Sequence, residues 1–149
     1  MKNVLLARPS SLIVNDMKKL MTATGMQPTP LASLADLNSY SEDSIGGVVI
    51  STALSSPVKE KYWEVIQSVI ATFPNRPIFL ASYASVKSTK VTAGSRFKEF
   101  DIQRSLVALD EVSEDFSNKE DVLILTQGEI SDDSRFDQIL KVIKRILNS

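Results

Sequence analysis

The chain has 149 residues, 43% of them hydrophobic and 23% charged, the profile of one soluble globular domain (1–149) with a single core. Seventeen basic residues against eighteen acidic leave a net charge of -1, which gives no reason to expect nucleic acid or an anionic membrane as a partner. With no cysteine and no histidine, the chain excludes disulfides, thiolate metal sites, zinc-enzyme chemistry and cysteine- or histidine-dependent hydrolysis.

The N-terminal MKNVLLARPSS carries a four-residue apolar run. A signal peptide needs roughly 7–15 such residues, and a membrane span about 18–20. The expected location is cytoplasmic.

Val4–Ala7 reads as a strand buried on both faces. Ser10 or Ser11 is the expected cap of the helix that follows, with Pro9 fixing its entry. Leu12, Ile13, Met17, Leu20 and Met21 recur at helical spacing, and Gly25 sits where a C-terminal cap glycine belongs. Met26–Leu31, broken by Pro28 and Pro30, reads as an edge strand.

Ser33–Tyr40 suits a short helix, and Gly47–Ser51 a second buried strand. Pro57 is the expected start of a helix with Val58, Tyr62, Val65, Ile66, Val69, Ile70 and Phe73 inward. Pro77–Ala81 is a third buried strand. Val86–Gly94 reads as loop. Over 96–116 the spacing of Leu106, Leu109, Val112 and Phe116 favours helix, with a short strand at Ser105–Leu109 as the alternative. Val122–Leu125 is the last buried strand. Ser131 or Asp132 then caps a closing helix with Phe136, Ile139, Leu140, Ile143 and Leu147 inward.

Apolar strands alternating with amphipathic helices imply a three-layer α/β sandwich. About five mainly parallel strands would have helices on both faces. Ligands in such sheets sit beyond the carboxyl ends of the strands, so those residues are the candidate site. They are Arg8 and Pro9, then Ser51 and Thr52, then Ser82 and Tyr83, then Thr126 and Gln127. None is a carboxylate. A hard divalent cation wants carboxylate oxygens, and Arg8 would repel it, so no metal is expected.

The order and length of four segments carry a resemblance. VLLARPSSLIVNDMKKLMTATG (4–25), GGVVIST (46–52), YWEVIQSVIATFPNRPIFLAS (62–82) and FDQILKVIKRIL (136–147) together resemble the receiver domain of two-component response regulators. The fold that this implies is receiver- or flavodoxin-like, with 84–120 an enlarged fourth-helix region. The resemblance places Arg8 and Pro9 on the family's acidic pair and Thr52 on its phosphate-accepting aspartate. Ser82 falls on the threonine or serine that binds the phosphoryl group. Tyr83 stands where a small residue is usual, and Thr126 and Gln127 stand where lysine and proline are expected. Of the pocket set only Ser82 matches.

The resemblance therefore implies a degenerate pseudo-receiver. Phosphotransfer needs a carboxylate nucleophile and a charge-neutralising metal, and the positions for both hold other residues. The expected function is a non-catalytic signalling or regulatory domain that acts through protein–protein contact, without phosphorylation and without a cofactor. Its partner surface, for another protein or a second copy, would be the 84–120 and last-helix face with Tyr83, Phe97, Phe100 and Val107. The competing reading is a domain of flavodoxin-like fold that binds a nucleotide, flavin or anion through Arg8, Ser10, Ser11, Thr52 and Ser82. Gly46-Gly47 precedes a strand, so it is not a dinucleotide fingerprint. The basic run Lys87, Lys90, Arg96 and Lys98 is followed at once by acidic Asp110–Asp121, which argues against nucleic acid.

Overall fold

A computed structural model describes residues 1–11 and 13–148; Leu12, expected on the first helix's apolar stripe, lies outside them. The strands are β1 (Asn3–Arg8), β2 (Gln27–Pro30), β3 (Ile45–Ser51), β4 (Ile78–Ser82), β5 (Ser105–Ala108) and β6 (Asp121–Thr126). All pair in parallel in the order β2-β1-β3-β4-β6-β5, so the sheet has six strands where about five were expected. The helices are α1 (Val14–Ala23), α2 (Tyr62–Thr72), α3 (Val86–Glu99), α4 (Gln127–Ile130) and α5 (Phe136–Leu147).

The central strands β1, β3, β4 and β6 are buried along almost their whole length, as near-continuous Val/Ile/Leu runs require when both faces are covered. Leu5, Ile50, Ile78 and Leu80 point to the face covered by α2 and α3. Val4, Leu6, Phe79, Leu123 and Leu125 point to the face covered by α1 and α5. Gly47 lets α5 end close against β3. A Cβ there would lie 3.0 Å from Leu147 Cδ2 and 3.2 Å from Phe79 Cε2.

Helix α1 ends at the expected glycine. Gly25, at φ +85°, donates to Thr22 O at 3.0 Å, and Met26 donates to Met21 O at 3.3 Å, the paired bonds of a Schellman motif. Its start differs from expectation. No side chain caps it; the Ser10 carbonyl accepts from Ile13 and Val14 N–H at 3.1 and 2.9 Å. The 33–40 segment is a 3-10 helix over Leu34–Ser39, and α2 begins at Tyr62 instead of near Pro57, leaving 52–61 without helix or strand.

The 84–120 region departs most from the sequence reading. Val86–Gly94 is not loop but the body of α3, capped by Ser85 Oγ, which accepts from Ser88 N–H at 3.1 Å. The buried stripe of α3 is Thr89, Ala93 and Phe97, too small and polar at its start to stand out as apolar periodicity. The helix expected over 96–116 is overturned. Ser105–Ala108 is the outer edge strand, Leu109–Glu111 a 3-10 turn, and Leu109, Val112 and Phe116 fold onto the α1/α5 face. The alternative of a short strand there is the correct one.

Candidate functional site

Arg8 ends β1 after a register shift between Leu6 and Arg8 in its pairing with β3, an irregularity that re-aims the side chain. The residue is 5% exposed. Its Nε donates to Glu60 O at 2.9 Å and its Nη1 donates to Ser51 O at 2.8 Å and to Ala53 O. The partners are three backbone carbonyls, and Glu60 contributes its main chain and not its carboxylate. Burial pushes the Arg8 pKa down, because desolvation disfavours the charged form. An arginine stays charged all the same, so the carbonyl dipoles solvate the cation in place of water.

The hydroxyls at the other strand ends serve local turns. Ser51 Oγ accepts from Ala53 N–H at 3.0 Å, while Thr52 extends the β3–β4 ladder by donating its N–H to Ala81 O at 2.9 Å. Ser82, 1% exposed, accepts from Ala84 N–H at 3.1 Å and lies 2.7 Å from Thr89 Oγ1, which also donates to Ser85 O at 2.8 Å. This hydroxyl therefore anchors the start of α3 and is not presented to solvent. Thr126 and Glu129 cap each other around α4. Thr126 N–H and Oγ1 donate to Glu129 Oε1 at 3.0 and 2.8 Å, and Glu129 N–H returns to Thr126 Oγ1 at 3.3 Å. Gln127 opens α4, and its carbonyl accepts from Ser131 N–H at 3.0 Å.

Glu129 is a rim residue outside the sequence-predicted set, because it lies on α4 three residues beyond the end of β6. Its second oxygen meets Arg135 Nη1 at 3.5 Å, and Arg135 also reaches Asp110 at 3.3 Å. The carboxylate is thus engaged three strands away from Arg8 in the sheet order.

The cavity bounded by Arg8, Pro9, Ser10, Ser51 and Ala81 measures ≈ 10 Å³. That volume holds about one water molecule. A nucleotide or flavin would need this part of the rim to open. Ser10, assigned to the ligand-binding reading, is 4% exposed, and its Oγ lies 2.6 Å from the Tyr83 hydroxyl. Among the described residues, no group of three or more His, Cys, Asp or Glu side chains is placed to hold a metal ion.

The four surface candidates separate. Phe97 is buried in the core beneath α3 at 4% exposure, so it offers nothing to a partner, a correction that follows from α3 being helical. Tyr83 is half-buried, packed on the α1/α5 side and tied to Ser10. Val107 is half-buried on edge strand β5, and Phe100 is 37% exposed. Phe100 stacks on Trp63 with ring centroids 5.9 Å apart at 15°, and the Arg96 guanidinium lies 4.2 Å from the Trp63 centroid. Trp63 thereby packs along the end of α3.

A six-stranded parallel sheet between two helical layers defines the receiver- and flavodoxin-like α/β class. Among solved structures, the crystal structure of a response regulator receiver protein from Sinorhizobium medicae WSM419 aligns with a TM-score of 0.58 at 19% identity. The alignment covers 99% of this chain and 95% of that one. The likeness shows a shared fold. No protein-family model and no curated protein sequence matches the chain. Among the described residues, no helix is long and apolar enough to cross a membrane.

Proposed function

We propose that the chain is a non-catalytic signalling or regulatory module of receiver fold, cytoplasmic, that works through contact with another protein or a second copy and without phosphorylation. One observation carries this reading. The end of β1, where a receiver would keep its acidic pair, holds Arg8 with its guanidinium bound to the Ser51, Ala53 and Glu60 carbonyls. A fixed internal cation there opposes a divalent metal by charge repulsion. Thr52, at the position of the acceptor, is a hydroxyl and would need an adjacent base to attack phosphorus.

The contact surface in this proposal is the sheet edge at β5. Val107 lies on that strand, and Val91 on α3 is 67% exposed. The test of the function is intact-mass spectrometry after incubation with acetyl phosphate and magnesium. The proposal expects an unmodified chain. A stable phosphoryl adduct mapped to Thr52 or Ser82 would refute it.

A further inference from the structure

We infer that Arg8 is a clasp that closes residues 52–61 into one fixed loop. The segment carries neither helix nor strand, yet its two ends meet at one side chain. Arg8 Nη1 holds the entry through Ser51 O and Ala53 O, and Arg8 Nε holds the exit through Glu60 O. Between these points Val58 is buried at 1% exposure, and Leu54 is 98% exposed.

The chemistry suits a clasp. A guanidinium is a planar fork whose donors reach separate acceptors at fixed angles, which a lysine ammonium cannot reproduce. Hydrogen bonds from a charged donor are roughly twice as strong as neutral ones, and here all the acceptors are main-chain oxygens. The hold thus depends on the path of the loop and not on its side chains. Two smaller bonds shape the interior: Ala53 N–H donates to Ser51 Oγ at 3.0 Å and Val58 N–H to Ser56 Oγ at 3.2 Å. Neither joins the entry to the exit. In a receiver-like sheet, the segment after the third strand would thereby be locked by an internal cation and need no metal or phosphoryl group to set its conformation.

The clasp adds to the proposed function but does not depend on it. A chain that accepted a phosphoryl group would fail the mass test above while leaving the clasp intact. The experiment is amide hydrogen exchange on the full chain, comparing wild type, Arg8→Ala, Arg8→Gln and Glu60→Ala. Arg8→Ala is expected to speed exchange across 53–61 by about 10-fold or more relative to β3 and β4. Low-millimolar guanidinium, far below denaturing concentrations, should restore much of the lost protection. Glu60→Ala should match wild type, since only its carbonyl takes part.

Should Arg8→Ala fail to fold, Arg8→Gln keeps the stem, loses the fork and is expected to loosen 53–61 selectively. Unchanged exchange in the loop of the folded Arg8 variants would overturn the inference. So would a rise shared equally by β3 and β4, or a Glu60→Ala variant that behaves like Arg8→Ala.

Discussion

The two halves of the strand rim are sealed by different chemistry. On the β1/β3 side a single buried cation gathers three carbonyls from both ends of a loop. On the β4/β6 side the hydroxyls of Ser82 and Thr126 close the first turns of α3 and α4. The first device is long-range: Arg8 lies 43 residues from Ser51 and 52 from Glu60. The second is local, with Ser82 and Thr126 bonding groups no more than seven residues away. A long-range hold is costly to lose because nothing nearby replaces it. A local cap is cheaper, because its freed groups lie near solvent or near a second acceptor.

That contrast sets the order of effects. Arg8→Ala should be the most damaging rim substitution, with a loss of about 2–4 kcal/mol read by amide exchange in the 53–61 loop and little of it in β3 and β4, since it frees one buried and two half-buried carbonyls at the ends of that loop. Ser82→Ala should cost about 1–2 kcal/mol, because Thr89 Oγ1 keeps its bond to Ser85 O. Thr126→Ala should cost about 1 kcal/mol, the ordinary effect of removing a helix cap. If Thr126→Ala proved as costly as Arg8→Ala, the distinction between the two halves would fail.

A smaller effect lies at the sheet edge. Glu111 accepts from Lys90 Nζ at 2.5 Å and from Ala108 N–H on β5 at 2.8 Å. Those two bonds, the one from Lys90 first, hold its carboxyl below the ordinary glutamate range. A depressed carboxyl pKa gives stability that is present above the unfolded value and lost as pH falls through the folded one. Protection of the Ala108 amide, its exchange rate measured against the intrinsic rate at each pH, should therefore fall on acidification through that window, and Glu111→Gln should flatten the response. An Ala108 exchange rate with the same pH dependence in both forms would remove Glu111 from the edge.

The sequence was most legible where burial is continuous. Val4–Ala7, Gly47–Ser51, Pro77–Ala81 and Val122–Leu125 announce the four central strands, because strands covered on both faces cannot afford polar residues. The broken Met26–Leu31 likewise announces an edge strand. The second half of the chain hides its pattern. Helix α3 buries Thr89, Ala93 and Phe97, and a threonine counts as polar until its hydroxyl is seen paired with Ser82. Strand β5 is four residues long, and its neighbours Leu109, Val112 and Phe116 mimic helical spacing while turning to the opposite face.

At the site, the identity of Arg8 was readable but its partners were not. Backbone carbonyls have no sequence signature, so no residue type in the chain points to them. The helix cap by Glu129 was open to discovery, since Thr126 followed three residues later by Glu is a capping-box pattern.

Under the proposed function the rim does not take a phosphoryl group. The most direct test is an amide NMR titration with magnesium and then beryllofluoride, a phosphoryl mimic. No specific shifts are expected at Arg8, Thr52 and Ser82, and the 52–61 resonances should stay unmoved. Saturable shifts clustered at those three residues would contradict the proposal and make the rim a ligand-operated switch.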